Sequence, residues 1–590
     1  MLVIPAVLLS ATGAEAQETC DLNSTCLFID ACTANCSAAP TTTLSEGSGY
    51  AIIFSTLLST LFATVGFMLY IYCKKGKLTF TKDEYFSARD TQRAIWLTFS
   101  YFASQIGLWV IFAVPTAATQ TGMIAMIMYA LSAGSSLMVF YFMVPFLRRN
   151  LPHGTTFWEY MIERFGPWCT AAAGITSLLY MEIYLMAELS SVGTISAYMS
   201  NVPVLSEPII KGDFSLAGQP VAPILVASGV TLIYTSIGGL PLSLLTDRFQ
   251  GACALLFTAV ICVAAYTSVD EVDNHLWNVA TTVGAQDDYG KSVAAGYSLF
   301  MGVTLANILN PGFWQRVWAA ESDKAAKVAL LSSSVLVTLI IFSYGIVGMI
   351  GYGIYGNNVL DFQTGLASVK GTLGQGWHVI VLFLGLMMGI SSIDTLQSAM
   401  QALLSPVIDL CLAKVGLATG GRLSLAVNFV AMLALNVLAA VFGVSGLSIL
   451  QLFLLADLCC ACVCIPMIMG FWYRANPFAC FFGMLMGYVT MVETYAVIGA
   501  NEEKGLGILT CASWSPSCGF VSGFYYTSTA YAYFLCPFVS GLVTFVFSYF
   551  GALEWKGDGS WGLTFTSAYA FPGFKNAKPQ GGGVMFSGQK

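Results

Sequence analysis

"AIWLTFSYFASQIGLWVIFAVPTAA" (Ala94 to Ala118) is apolar for long enough to cross a bilayer as a helix, yet Ser104, Gln105 and Gly107 interrupt it near its middle and Pro115 follows. A spanning helix needs roughly 20 apolar residues. An interruption frees backbone carbonyls, which a membrane tolerates only where they are buried in protein or line a cavity. Such freed carbonyls are hard oxygen donors suited to Na⁺. The competing reading is a packing notch of small residues with a tolerated glutamine. A second polar stretch, "GISSIDTLQSAM" (Gly389 to Met400), follows the apolar run "HVIVLFLGLMM". At helical spacing Ser391, Thr395 and Ser398 share a face, Asp394 lies one step round it, and Ser392 points to its edge. Hydroxyls and a carboxylate converging on one point supply oxygen ligands and countercharge for a small cation. Hydroxyls bonded back to their own helix are the alternative.

Both stretches lie in a chain of 590 residues that is 57% hydrophobic and 9% charged, with a mean hydropathy of +0.74. Soluble domains are about 25% charged, so this composition defines an α-helical protein integral to the membrane. Strands of a membrane barrel would instead alternate over about ten residues, and no such pattern is present. Thirteen spans are expected, near 50–73, 94–116, 122–147, 168–198, 221–238, 246–267, 292–310, 326–353, 377–404, 423–442, 446–472, 477–499 and 527–550. With the N-terminus outside and the C-terminus inside, only Lys211, Lys291, Lys370 and Lys504 of the 24 basic residues fall outside. That asymmetry obeys the positive-inside rule, and an error of one span would scramble it.

The first residues, 1–16, read as a signal peptide ending in Ala14-Glu15-Ala16. Residues 17–49 carry Cys20, Cys26, Cys32 and Cys36 and the glycosylation sequons at Asn23 and Asn35. Four close cysteines beside glycan acceptors fit an oxidising, extracellular or lumenal segment. The loop holding Cys511 and Cys518 fits a further disulfide on the same side. Residues 50–550 form the transmembrane domain, and the Gly-rich tail, 551–590, is expected in the cytoplasm as an extension without a fold of its own. Cys459, Cys460, Cys462 and Cys464 crowd one span without a histidine and read as packing rather than as a metal site.

Further polar groups mark span ends. "YTSIGGLPLSLLTDRFQ" turns at Gly238-Gly239 and enters the next span through Thr246, Asp247 and Gln250; pairing of Asp247 with Arg248, or a helix cap, is the local alternative. "NILNPGFWQRVWAA" places Asn307 and Asn310 before a Pro-Gly break, then Gln315 and Arg316. Glu182, Glu188, Asp457 and Glu493 are carboxylates inside spans, each a functional candidate because burial in hydrocarbon is costly. No enzyme is indicated: three histidines, no phosphate-binding loop and no nucleophile elbow leave no catalytic constellation.

Taken in order, "DEYFSARDTQ", "FASQIG", "YTSIGGL…TDRFQ", "NPGFWQRVWAA" and "ISSIDT" resemble the sodium:solute symporter family, which includes proline, sugar, iodide and urea symporters. The resemblance runs over about 83–473. It implies an all-α, inverted-repeat bundle of five plus five helices (LeuT-like), with one helix before and two after. It implies a cation site made by the carbonyls of Ala103, Ile106 and Met388 and the hydroxyls of Ser391 and Ser392. Asp247 matches an acidic residue that assists coupling or cation exit, and Gln105 and Gly107 fall where solute is contacted, with Asn307 a further solute-site candidate. Asp394 departs from the small residue many members carry there, which adds a titratable ligand and leaves Na⁺ and H⁺ both open. "NPGFWQR" departs too, and leans towards the urea branch.

The expected function is therefore cation-coupled symport of a small polar solute, urea first and an amino acid such as proline next, in the plasma membrane. The expected partners are solute, coupling cation and bilayer, with no nucleic acid and no cofactor; oligomeric state is left open. A transport-dead sensor on the same bundle and a passive channel are the rival readings.

Overall fold

The computed structural model describes residues 40–41, 43–75, 81–205, 218–268, 289–355, 359–360, 363–417, 421–445, 449–500, 527–550, 552–555 and 561–564. The expected leader, the four-cysteine segment to residue 39, both sequons, the Cys511 and Cys518 loop and most of the tail lie outside these residues. Within them the chain is helical throughout the spans. It runs α1 (Glu46–Lys75), α2 (Lys82–Ser87), α3 (Ala94–Gln105), α4 (Val110–Asn150), α5 (Phe157–Phe165), α6 (Pro167–Met199) and α7 (Val221–Thr267). It continues with α8 (Tyr289–Ile308), α9 (Pro311–Ala319), α10 (Asp323–Tyr355), α11 (Thr364–Thr372), α12 (Gln375–Lys414), α13 (Arg422–Val444), α14 (Ile449–Ile468), α15 (Pro477–Ala500) and α16 (Thr527–Phe550). In the tail, Ala552–Trp555 pairs antiparallel with Trp561–Thr564, so this part of the Gly-rich extension forms a short hairpin.

Among the described residues ten helices are long and apolar enough to cross a membrane, or eleven if α8 and α9, bent by 54° at their junction, count as one. Two of them are too long to be single spans. The 41 residues of α4 and 47 of α7 would reach roughly 60 and 70 Å at 1.5 Å per residue, against a hydrocarbon core of about 30 Å. Each contains one glycine with non-helical dihedrals, Gly122 (φ 83°, ψ −177°) in α4 and Gly239 (φ 56°, ψ −152°) in α7. Side chains other than hydrogen are excluded from that region of φ and ψ, so these glycines are where the chain changes direction.

Burial separates the inner helices from the outer. In α12 83% of the most apolar window is enclosed by protein, against 28% in α13, whose Val430 and Val437 face outwards. The polar stretch at Gly389 thus lies in the most enclosed helix. The turn at Gly239 is sealed by α2. Thr81 and Glu84 form a capping box at its start, and the Tyr85 hydroxyl lies within 3.0 Å of the carbonyls of Thr235 and Ser236 and 2.8 Å from Gln401 Oε1. On the opposite flank, buried Arg164 of α5 donates to the carbonyls of Gly470, Trp472 and Ala475, satisfying the chain where α14 ends.

Replacing Gly239 by alanine would add strain at a positive φ and drive a Cβ into the Tyr85 carbonyl oxygen. The expected loss is about 2 kcal/mol or more, read as a lower thermal unfolding midpoint in detergent, whereas Gly229→Ala, with open space around its Cβ, should leave the midpoint unchanged.

Candidate functional site

Helix α3 stops at Gln105, and after four intervening residues α4 begins at Val110. The break changes where the backbone groups go. The Ile106 N–H still closes on Phe102 O at 3.0 Å, but the Leu108 N–H leaves the helix path and donates to Glu188 Oε2 of α6 at 3.0 Å. A carboxylate therefore caps the freed N–H groups, as charge and dipole favour at the start of a helix. Gly107 leaves room for these partners, because a Cβ would overlap the present position of Glu188 Oε1 and come 2.8 Å from Ser392 Oγ. Neither of those two oxygens has a hydrogen-bond partner among the described residues.

Helix α12 lies directly across the break. A Cβ on Gly389 would meet Leu108 Cβ at 3.3 Å. Ser391 Oγ is 3.3 Å from the Ala103 carbonyl and 3.2 Å from Asp247 Oδ1, within donating reach of both. Ile106 and Met388 are also fully buried. The structure thus brings Ala103, Gly107 and Leu108 of the break against Gly389, Ser391 and Ser392, from segments almost 300 residues apart.

Asp247 does not pair with Arg248. Its Oδ2 accepts from Arg316 Nη2 of α9 at 2.9 Å and from Ser100 Oγ at 2.5 Å, and all three side chains are buried. Arg316 spends its other donors on Ser100 Oγ, the Gly312 carbonyl and Thr395 Oγ1, at 2.8, 2.9 and 3.0 Å. Arg248 instead donates to Gln92 Oε1 and covers the ring of Trp96. Asp394 faces α7 rather than the break. Its oxygens accept from Tyr234, Ser243 and Thr246 hydroxyls at 2.7, 2.9 and 3.0 Å, so the carboxylate is held by neutral donors with no cation bonded to it.

On the far side of the break an aromatic wall closes in. Trp109 donates to the Tyr184 hydroxyl at 2.6 Å, and its ring lies 5.1 Å from Phe453 and 6.1 Å from Tyr129. Phe453 is also 5.0 Å from Tyr184. Asp457, one turn beyond Phe453 on α14, is buried with Tyr129, Tyr180 and Tyr184 as neighbours and makes no hydrogen bond or ion pair among the described residues. Gly302 keeps α8 close to Asp457 Cβ, and Asn307 accepts from Tyr180 at 3.1 Å. Gln105 donates to Ala133 O and Ser136 Oγ while its Oε1 stays unpaired, so this candidate borders the wall from the α3 side. Among the other carboxylates, Glu182 is buried without a partner and Glu493 is exposed.

The sequence flagged Asp457 and Glu188 but assigned them nothing, and it missed the aromatic wall. Trp109, Tyr129, Tyr184 and Phe453 sit at ordinary spacings in apolar spans, where aromatic residues are usually core. The pairing of Asp247 with Arg316 carried a sequence signal: two buried charges of opposite sign in a chain with very few.

No family model matches the chain. It is 24% identical over 462 residues to the spermidine transporter DUR31 of Candida albicans, an alignment covering 75% of this chain and 82% of that one. In structure it is similar to a Na⁺-coupled sialic acid symporter captured substrate-bound and outward-open, with a TM-score of 0.60 and 16% identity, over 85% of this chain and 97% of the symporter. The two chains share a helical fold. Fold and relative together define a multi-pass membrane transport protein rather than an enzyme.

Asp247 and Arg316 provide a test of this geometry. Arg316→Gln leaves a buried carboxylate without its cation and should cost about 3 kcal/mol or more, seen as a lowered unfolding midpoint. The double variant Asp247→Asn with Arg316→Gln, which removes both charges, should recover part of that loss.

Proposed function

We propose that the chain is a cation-coupled secondary active transporter, working by alternating access, whose solute is an organic amine carrying several positive charges, of the polyamine class. The observation that carries this reading is Asp457, a buried carboxylate with no cationic partner among the described residues, which neighbours Tyr129, Tyr180 and Tyr184 and lies one helical turn from Phe453 of the aromatic wall. Aromatic faces attract ammonium groups, and a desolvated carboxylate supplies the countercharge. Glu188, with one oxygen unpaired at the break, offers a second anchor, which suits a solute with charges at both ends. The relative that transports spermidine supports the same class. Urea and proline, the solutes towards which the sequence leans, carry no net positive charge, and neither the relative nor the carboxylates support them.

For the coupling ion we keep the ligand set of Ala103, Ile106 and Met388 carbonyls with Ser391 and Ser392 hydroxyls, and a route past Asp247 towards the cytoplasm. The grouping of these residues around the break supports it. Asp394, held by three hydroxyls on α7, fits a part in transmitting movement between α7 and α12 rather than direct cation ligation. Dividing α4 at Gly122 and α7 at Gly239, and counting α3 and α8 with their continuations, gives thirteen spans, consistent with an outside N-terminus, an inside C-terminus and the sodium:solute symporter plan. An inward-negative potential contributes about 2.3 kcal/mol per charge per 100 mV. A polyamine is therefore drawn inwards strongly by itself, and coupling must be tested at clamped potential.

Radiolabelled spermidine uptake into proteoliposomes at clamped potential, with and without a Na⁺ or pH gradient, decides the reading. Accumulation driven by one of the gradients is expected, and flux that never exceeds equilibration would make the protein a channel. Asp457→Asn should raise KM for spermidine roughly thirty-fold, matching about 2 kcal/mol for a lost buried charge partner. Ser391→Ala and Ser392→Ala should raise the cation concentration needed for half-maximal uptake; unchanged cation dependence in both would remove the assigned cation site.

A further inference from the structure

At one edge of the bundle, away from the break, a cavity of about 400 Å³ opens between the C-terminal end of α4 and the N-terminal end of α10. Its lining divides by chemistry. Tyr141, Pro145, Val328 and Leu331 form an apolar wall, and Val328 and Leu331 are 45% and 46% exposed on the outward flank of a membrane-spanning helix. Arg149, Lys324 and Lys327 form the other end. The acidic residue of the lining, Asp323, is already committed: its Oδ1 lies 2.8 Å from Arg148 Nε. Arg148 is occupied as well, pairing with Asp90 and donating to the carbonyls of Val317 and Ala320. Lys327 lies over the Tyr141 ring at 5.2 Å, its ammonium at the junction of the two halves. Three positive charges are thus left without a carboxylate among the described residues, in a protein whose formal net charge is −7.

The position in the membrane says what such a pocket meets. The apolar wall belongs to the last turns of α4 and the first turns of α10, where hydrocarbon gives way to the headgroup layer, and the basic end projects into that layer. A free anion would match the charges but has no use for an exposed apolar wall. A phospholipid matches both, with its phosphate among the basic side chains and the start of an acyl chain along Val328 and Leu331. We propose that this cavity is a binding site for an anionic phospholipid, with Arg149, Lys324 and Lys327 holding the headgroup and Tyr141, Val328 and Leu331 the chain. The site is separate from the break and from Asp457, and does not depend on the identity of the transported solute.

The full-length protein, purified in a zwitterionic detergent, is titrated with phosphatidylserine and with phosphatidylcholine, and bound lipid is counted by native mass spectrometry. One phosphatidylserine should bind saturably and phosphatidylcholine should not compete. Each basic side chain near a membrane surface contributes roughly fivefold to affinity. The triple variant Arg149→Gln, Lys324→Gln, Lys327→Gln should therefore weaken binding on the order of a hundredfold, and Lys324→Gln alone about fivefold. Lys414→Gln, an exposed charge at the end of α12, should leave it unchanged. These side chains are peripheral, and the single variant preserves the test if the triple one fails to fold, as judged from unfolding midpoints without added lipid. Wild-type affinity in the variants, equal loss in Lys414→Gln, non-saturating binding, or complete displacement by millimolar inorganic phosphate would each overturn the proposal; the last would make it a site for a soluble anion.

Discussion

A backbone N–H or C=O left unpaired in hydrocarbon costs several kcal/mol, and the four residues between α3 and α4 expose such groups at the centre of the bundle. The rest of the inner structure follows from meeting that cost. Glu188 takes the Leu108 N–H, Ser391 reaches the Ala103 carbonyl, Tyr184 approaches the Gln105 carbonyl, and Gly107 keeps the space in which these partners meet. Helices α6 and α12 must therefore press against the break. A chain that closes its own helix has no need of them there; a broken one obtains a site where polar groups from three helices converge.

Charge placement follows the same constraint. Two buried ions of opposite sign, Asp247 and Arg316, satisfy each other with hydroxyls filling the remaining positions, and in doing so they tie α7, α9, α3 and α12 together below the break. Asp394 on α12 is hydrogen-bonded by hydroxyl donors instead. Among the described residues Asp457 has no such partner, and Glu188 is bonded through one oxygen while the other has none. The contrast between satisfied and unsatisfied carboxylates is what the proposed solute site rests on. Coupling of two ligands requires each to favour the same arrangement of mobile elements. Here the break is shared: the Ala103 carbonyl on one side of it meets Ser391, and Trp109 on the other meets Tyr184 and Phe453.

Much of this was legible before any coordinates. Helices could be placed because spans of apolar residues have a physical length, and the break at Ser104-Gln105-Gly107 because small and polar residues interrupt one. Helix ends were less legible: Gly122 and Gly239 join successive spans with hardly a loop, so two pairs of expected helices appear as long elements turned at one residue. At Asp247 the local sequence offered Arg248 as partner, and the fold supplied Arg316, because side chains at adjacent helical positions point about 100° apart and cannot both face the core. Asp394 was read from its place beside the serine face, and the fold adds the Tyr234, Ser243 and Thr246 hydroxyls of α7 around it, which the local sequence did not show.

The sequence by itself determined that this is a helical membrane protein, which helix is broken, and which serines could face that break. Hydropathy and residue size act locally, so they can be read from the order of residues. Only the tertiary structure decided which carboxylates found partners and which stood against aromatic rings, because that depends on helices from distant parts of the chain arriving at one place. Asp247 and Asp457 look alike in sequence, each one acidic residue in an apolar span. A guanidinium stands beside the first, and the second has tyrosines as neighbours and no ion pair among the described residues.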